Sequence, residues 1–229
     1  MRCGHSSWRH FRSRFPSSSG RSASLALRTF TRRSDDAYLR LARELVAEDG
    51  FLPSQVITSE LQRIAYGTDA SCYRLTPRLV VNLHSESDVQ SLVRRAGRSR
   101  LPLTFRAAGT SLSGQASSDS VLARLSPHRW SNKKVLDQDG LVVQLEPGVI
   151  GGHANAFLRR FGRKIGPDPS SIDSCMIGGI VSNNSSGMCC GVAQNTYHTI
   201  REVRLVMADG TLLDTSDCVS RAQFRSSHG

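Results

Sequence analysis

A run of small and hydroxyl-bearing residues at positions 106–115 is the part of this sequence best suited to bind an anion. It reads Arg-Ala-Ala-Gly-Thr-Ser-Leu-Ser-Gly-Gln and follows an apolar alternation at Leu101, Leu103 and Phe105, which predicts a buried strand. Because these residues are small, successive backbone N–H groups can converge on one phosphate, and the hydroxyl groups add further donors. We expect the guanidinium of Arg106 at the lip of this turn. A pyrophosphate is the predicted guest, and an ordinary surface turn is the alternative.

A second stretch, residues 166–187, combines glycine, proline and uncharged donors. Its two prolines predict a rigid loop. Gly178 and Gly179 carry no side chain, so another surface, either protein or ligand, can approach their backbone closely. The asparagine and serine residues at 183–186 then offer amide and hydroxyl donors without charge.

The charge of the chain is concentrated at its N-terminus. The 229 residues carry a formal net charge of +11, from 30 basic and 19 acidic side chains. Eight arginines fall within residues 1–33, which contain no acidic residue, so the remainder holds 22 basic and 19 acidic side chains. A body so nearly neutral is poor material for binding a nucleic-acid backbone. We therefore predict no nucleic-acid partner.

Residues 1–33 are rich in arginine and serine and lack the continuous apolar core of a secretory signal. That composition is typical of a transit peptide, which is removed after import into an organelle. The arginine content favours the mitochondrion, and a serine cluster at residues 17–19 keeps the plastid as the alternative. A disordered basic tail is the competing interpretation. No apolar run in the sequence is long enough to predict a transmembrane segment.

The six cysteines and seven histidines do not follow the spacing of a metal site. No C-x-x-C pair occurs, and the histidines do not flank the cysteines as in a zinc finger, so we predict no metal. We expect free thiols in a reducing compartment, with Cys175, Cys189 and Cys190 as small buried residues. His153 and His198 are expected to be structural or solvent-facing, so the sequence assigns no catalytic base.

Hydrophobic periodicity predicts the elements that must position these stretches. The predicted helices are 36–49 with an N-cap at Ser34, 55–66 capped near Thr58, one that begins at Ser85, and 152–161. The predicted strands are 79–83, 101–105, 121–125, 134–136, 141–146, 200–207 and 211–213. We expect the first two strands to run parallel, because a helix connects them in a β-α-β unit.

Together these motifs resemble the FAD-binding domain of the p-cresol methylhydroxylase (PCMH) and vanillyl-alcohol oxidase superfamily. Within it they are similar to FAD-linked oxidases of the group that contains D-lactate dehydrogenase and the flavin-binding component of glycolate oxidase. The resemblance covers about residues 55–229 and rests on residues 67–71, 106–115, 166–169, 177–179, 183–187 and 206–210. It implies an α+β fold of the PCMH type, in which a small β-α-β subdomain and a second mixed α+β subdomain hold the cofactor between them.

The resemblance also implies a domain organisation and an activity. A leader of residues 1–33 and a helical segment of residues 34–75 would precede an FAD-binding domain of residues 76–229 that is incomplete at its C-terminus. The implied activity is oxidation of a small D-2-hydroxy acid, such as D-lactate, by hydride transfer to FAD, with the electron acceptor left unassigned. A non-catalytic FAD-binding fragment and a sugar-lactone oxidase of the same superfamily are the alternatives.

Carried over position by position, the resemblance implies which residues contact FAD. Residues 107–111 would hold the pyrophosphate with backbone amides, residues 167–186 would pass along the flavin, and Val203 and Val206 would flank the adenosine. The full predicted set is Arg106, Ala107, Ala108, Gly109, Thr110, Ser111, Gly114, Gln115, Pro167, Asp168, Ser170, Ser171, Gly178, Gly179, Asn183, Ser186, Val203 and Val206. Because no histidine stands in the glycine-rich turn, we expect FAD to be bound non-covalently.

Overall fold

The computed structural model describes residues 37–126 and 128–228, in which helices and strands are mixed along the chain. The helices are α1 (37–47), α2 (Glu60–Ile64), α3 (Glu86–Arg98), α4 (Gly151–Leu158), α5 (Ile177–Ser182), α6 (Thr196–Thr199) and α7 (Cys218–His228). The strands are β1 (Val56–Ile57), β2 (Leu79–Leu83), β3 (Leu103–Arg106), β4 (Val121–Leu125), β5 (Lys133–Val135), β6 (Val143–Leu145), β7 (Arg204–Val206) and β8 (Leu212–Asp214). This mixture confirms the α+β class that the sequence predicts.

Strands β1 to β4 form one sheet in the order β1–β2–β4–β3. Strands β2 and β4 run parallel with Leu79 opposite Val121, and β3 runs parallel to β4 with Leu103 opposite the same valine. Strand β1 is antiparallel to β2 and pairs Val56 with Val81. The predicted parallel orientation of β2 and β3 is therefore confirmed, with β4 inserted between them.

Burial on both faces explains why β2 lies inside the sheet. The side chains of Leu79, Val80 and Val81 are each 0% exposed, so both sides of this strand are covered. A continuous apolar run is typical of a parallel strand in that position. Leu45 of α1 and Leu92 of α3 belong to the same apolar core as Leu79 and Val81, so both helices pack against one face of the sheet.

Capping residues set the ends of the two helices that cover this face. Ser85 is the N-cap of α3, as predicted, and its hydroxyl oxygen accepts a hydrogen bond from the Asp88 N–H at 3.2 Å. Helix α1 ends before Gly50, which has a φ of +74°. The Phe51 N–H then donates to the Leu45 carbonyl at 3.1 Å, which closes the helix with a left-handed glycine.

The predicted helix at residues 55–66 is wrong in its first half. Val56–Ile57 form strand β1, and only Glu60–Ile64 is helical, with Ser59 rather than Thr58 at the N-cap position. Two consecutive β-branched residues lose side-chain freedom in a helix and pack well on a pleated sheet. Pairing with β2 therefore outweighs the local helical pattern.

Strand β3 is less buried than its apolar alternation predicts. The strand begins at Leu103 rather than Leu101, and the Phe105 side chain is 47% exposed. Strand β3 is an edge of the sheet. Its outer side chains therefore open onto an apolar groove of about 270 Å³, which Val206 and Met207 also line. The prediction of a fully buried strand is wrong for this reason.

Hairpins and short helices make up the second half of the described chain. The antiparallel pairs β5–β6 and β7–β8 confirm the two predicted hairpins, with strand ends shifted, and they turn at Gly140 (φ +67°) and Gly210 (φ +82°). A Cβ on Gly210 would lie 2.5 Å from the Arg94 side chain, so only glycine lets this hairpin approach α3. Helix α4 confirms the predicted helix at 152–161, with a 3₁₀ turn at Arg159–Phe161 as its last part.

The predicted leader of residues 1–33 and the predicted N-cap Ser34 lie outside the described residues. All of the described residues belong to one unit of residues 35–229, so α1 is part of the same unit as the sheet. Within the described ranges, no helix combines the length and the apolar character needed to cross a bilayer.

Replacing Leu45 with alanine is expected to lower the free energy of unfolding by about 2–5 kcal/mol. The side chain is 0% exposed, and its removal leaves a cavity between α1 and the sheet. Leu39 on the same helix is 42% exposed and serves as the matched control, with an expected change within about 0.5 kcal/mol. Denaturant unfolding followed by circular dichroism measures both values. Equal effects at the two positions would contradict the docking of α1.

Candidate cofactor site

The backbone of residues 107–112, here named the phosphate turn, follows directly from β3. Across the described part of the chain, none of its six N–H groups donates a hydrogen bond to another protein group. Gly109 has a φ of +71°, a left-handed conformation that lets neighbouring N–H groups face the same side. The Gly109 carbonyl is instead paired, because it accepts from the Ala70 N–H at 2.9 Å. The turn therefore presents unpaired donors, which is what an anion needs.

Arg106 does not lie at the lip of this turn, and that prediction is wrong. Its side chain is only 7% exposed. The Nε atom donates to the Ala116 carbonyl at 2.8 Å, and Nη1 donates to the carbonyls of Tyr66 and Thr68 at 3.0 and 3.1 Å. Burial lowers the pKa of the guanidinium, and the neighbouring Asp69 opposes that shift. Arg106 therefore supports the turn from behind.

The end of the predicted cradle is shaped by packing. Gly114 has a φ of +79°, and a Cβ there would lie 2.6 Å from the ring of Tyr73, so the ring lies directly against this glycine. The Ser111 hydroxyl donates to the side-chain oxygen of Gln115, which closes the turn on itself. The hydroxyl of Thr110 makes no hydrogen bond among the described residues and remains available to a ligand.

The two adjacent glycines of α5 have different surroundings. The Gly178 N–H donates to the Pro147 carbonyl at 2.8 Å, and a Cβ on Gly178 would lie 3.0 Å from the Pro147 side chain. A Cβ on Gly179 would meet no protein atom within 4 Å. Packing therefore explains the first glycine, and the second one faces open space. Asn183 and Ser186 are exposed just beyond this helix.

Asp168 fastens a neighbouring loop. Its carboxylate accepts from the Cys190 N–H at 3.2 Å, and a Cβ on Gly187 would collide with the Asp168 carbonyl. Burial alone would raise the pKa of Asp168, but hydrogen bonds from Cys190 and Cys189 lower it. Cys175 and Cys190 are buried, as expected, whereas Cys189 is exposed, which corrects that prediction. The short backbone turn after Pro169 exposes Ser170.

The remaining predicted contacts lie on and next to the β7–β8 hairpin and after Pro167. The Val203 N–H already donates to the Thr215 hydroxyl at 2.7 Å, and Val206 pairs with Leu212 in the ladder. Ser171 accepts the Cys175 N–H at its carbonyl, with a distance of 2.7 Å. These backbone groups are therefore partly committed to the fold.

The structure groups the predicted residues in two walls. The phosphate turn contacts residues 66–73, and the stretch 166–187 is held together by α4, α5 and the Asp168 contacts. Within the described ranges no hydrogen bond joins the two walls. His153 and His198 are exposed, as expected, and no cluster of three metal-binding side chains occurs in the residues that the structure describes. Sequence reasoning missed the support that Asp69 and Ala70 give to the turn, although the Asp-x-Ser pattern at 69–71 is typical of a side-chain-closed turn.

These features fit a bound dinucleotide such as FAD. Unpaired N–H groups on the phosphate turn match the acceptor oxygens of a pyrophosphate, which needs donors more than countercharge when it is buried. The open space at Gly179 admits a flat ring close to the backbone. The residues present therefore suit the cofactor that the sequence predicts.

Comparison with known proteins agrees with this fit. The model of the FAD binding domain family matches residues 77–216. D-2-hydroxyglutarate dehydrogenase of Escherichia coli is 32% identical over 161 residues, which are 69% of this chain and 16% of that protein. Glycolate oxidase subunit GlcD of E. coli is 30% identical over 162 residues, 69% of this chain and 32% of that protein. A probable mitochondrial D-lactate dehydrogenase of Danio rerio is 30% identical over 159 residues, 67% of this chain and 31% of that protein.

The chain thus spans between 16% and 32% of the length of these relatives. Among solved structures, alkyldihydroxyacetonephosphate synthase has a TM-score of 0.65 at 22% identity, over 77% of this chain and 35% of that one. The 6-hydroxy-D-nicotine oxidase of Arthrobacter nicotinovorans has a TM-score of 0.59 at 21% identity, over 69% of this chain and 35% of that one. These likenesses show the PCMH-type fold, and the family match shows that FAD is the cofactor. The chain belongs to the FAD binding domain family.

Proposed function

We propose that this chain supplies the FAD-binding portion of a flavin-dependent dehydrogenase that oxidises a D-2-hydroxy acid. The observation that carries the proposal is the run of six unpaired N–H groups on the phosphate turn, beside a backbone that is open at Gly179. The names of the three sequence relatives support the substrate class, because D-2-hydroxyglutarate, glycolate and D-lactate are all 2-hydroxy acids.

In this proposal each wall has one task. The phosphate turn binds the pyrophosphate through its backbone, with the Thr110 hydroxyl as a further donor. Helix α5 and the exposed Asn183 and Ser186 lie along the flavin and ribityl chain, where their polar groups bind oxygen and nitrogen atoms without adding charge. When bound, FAD supplies the redox chemistry by accepting a hydride equivalent from the carbon that carries the substrate hydroxyl. No residue of the chain is attached covalently to the flavin.

The substrate class is tested by anaerobic mixing of the FAD-loaded chain with D-2-hydroxyglutarate, D-lactate and glycolate. We expect bleaching of the flavin absorbance by at least one of these acids, and no bleaching by the L-enantiomers of the two chiral acids. A chain that retains FAD but reacts with none of these acids would instead be a non-catalytic FAD-binding fragment. Bleaching by a sugar lactone alone would favour the sugar-lactone oxidase alternative.

We also propose that residues 1–33 direct the chain to the mitochondrion. The eight arginines and the absence of acidic residues in this segment support the proposal, as does the mitochondrial relative from Danio rerio. A fusion of residues 1–33 to a fluorescent protein is expected to co-localise with a mitochondrial marker. Import into plastids, or a cytosolic signal, would contradict this assignment.

A further inference from the structure

The loop of residues 66–71, here named the support loop, determines the orientation of one peptide in the phosphate turn. Its Ala70 N–H donates to the Gly109 carbonyl at 2.9 Å. A trans peptide is planar, so its C=O and N–H groups point in opposite directions. The Gly109 carbonyl faces the support loop, and the Thr110 N–H of the same peptide therefore faces away from it. Reversal of this peptide would aim a carbonyl, rather than a donor, at a bound phosphate.

Asp69 holds the support loop in the shape that this hydrogen bond requires. One carboxylate oxygen accepts from the Ser71 N–H at 2.8 Å and from the Ser71 hydroxyl, which forms a closed Asx turn around Ala70. The Asp69 Cβ lies 3.7 Å from the position that a Cβ on Gly109 would occupy. Burial alone would raise the pKa of Asp69, but Ser71, Ser117 and the charge of Arg106 lower it, so the carboxylate is ionised at neutral pH.

Arg106 connects the same two segments from below. Its Nη1 donates to the carbonyls of Tyr66 and Thr68, which flank Asp69 in the support loop, and its Nε donates to Ala116 beyond the turn. The second Asp69 carboxylate oxygen, the Arg106 Nη2 atom and the Ser117 hydroxyl are buried without a hydrogen-bond partner. A buried ion pair keeps its geometry because separating the charges is costly. The support loop and the phosphate turn are therefore linked by an opposite-charge pair.

We propose that Asp69 is a positioning residue for the phosphate turn, which it holds through Ala70 and Arg106 so that the Thr110 N–H faces the pyrophosphate of FAD. This inference rests on the proposed function, because it names a residue that orients the same cofactor site. Asp69 itself does not touch the cofactor. Its effect is confined to ligands that carry a pyrophosphate, and the flavin environment near α5 does not depend on it.

The test compares the dissociation constants of FAD and ADP for the full chain and for Asp69→Ala and Asp69→Asn. ADP carries the pyrophosphate without the flavin. Asp69→Ala is expected to weaken both ligands by a similar factor of about tenfold or more, because the N–H that binds a charged group is misdirected. Asp69→Asn keeps an oxygen for the Ser71 N–H, and we expect a smaller loss of about threefold. At saturating FAD, the absorption spectrum of the bound flavin should match that of the wild-type chain.

Asp137→Ala is the matched control, because Asp137 also accepts two backbone N–H groups, those of Leu141 and Val142, but lies in the β5–β6 hairpin. It is expected to change neither dissociation constant. Unchanged FAD and ADP affinity in Asp69→Ala would overturn the proposal, and so would an altered flavin spectrum, which would indicate a general structural defect. Where Asp69→Ala does not fold, the ADP affinity of Asp69→Asn decides in the same way. A wild-type chain that binds no FAD would contradict the proposed function instead.

Discussion

Replacing Gly179 with valine is expected to abolish FAD binding and to leave the fold intact. A Cβ at this position meets no protein atom within 4 Å, so the branched side chain extends into the space where we place the cofactor. The expected rise in the dissociation constant is about 100-fold or more, which corresponds to about 3 kcal/mol of binding free energy. The helix itself should not lose stability, because glycine is a poorer helix former than either alanine or valine.

Two other glycines make this prediction specific. Gly97 in α3 also has no atom within 4 Å of its Cβ position, so Gly97→Val is the matched control and should leave the FAD affinity unchanged. Gly178→Val should lower the thermal midpoint instead, because its Cβ would press on Pro147 at 3.0 Å. Isothermal titration with FAD and thermal unfolding separate the two effects. Wild-type affinity in Gly179→Val would contradict our placement of the flavin beside α5.

Replacing Arg106 with alanine is expected to destabilise the chain by roughly 3–5 kcal/mol and to remove FAD binding. The substitution leaves the carbonyls of Ala116, Tyr66 and Thr68 without their donor, and it leaves the buried charge of Asp69 without its partner. Both losses are costly in a buried site. Arg106→Lys keeps a positive charge, but a single ammonium group does not reproduce the planar fork that reaches three carbonyls.

Thermal unfolding of the apo chain measures the first effect, and FAD titration at a temperature below both midpoints measures the second. Arg163 lies exposed beyond α4, and Arg163→Ala is the control for loss of a positive charge, with an expected change within about 0.5 kcal/mol. If Arg106 acted only at the lip of the turn, Arg106→Ala would weaken FAD and leave the thermal midpoint unchanged. That outcome would contradict the supporting role that its burial indicates.

Regular elements with a strong local signal could be predicted from the sequence. Strand β2 and the N-cap of α3 are found where predicted, because a continuous apolar run and a serine followed by acidic residues specify them locally. The hairpin turns at Gly140 and Gly210 follow from Asp-Gly pairs in the same way. The glycine-rich turn was also located correctly as a loop of unpaired donors.

Features that depend on distant partners could not be predicted. Arg106 reads as a surface charge until the fold brings the carbonyls of Tyr66 and Thr68 against it, some 40 positions earlier in the chain. The short strand β1 exists only because β2 lies beside it, and Phe105 is exposed because β4 rather than β3 pairs with β2. Strand order and long-range hydrogen bonds are set by tertiary packing, which local periodicity does not encode.

The most direct test of the central claim is the absorbance spectrum of the purified full chain after incubation with FAD and desalting. We predict flavin absorbance that elutes with the protein at one flavin per chain. After denaturation and filtration, the flavin should appear in the filtrate, because it is bound non-covalently. A folded protein that elutes without flavin would contradict the assignment of the phosphate turn as a pyrophosphate site, and flavin that stays with the denatured chain would contradict non-covalent binding.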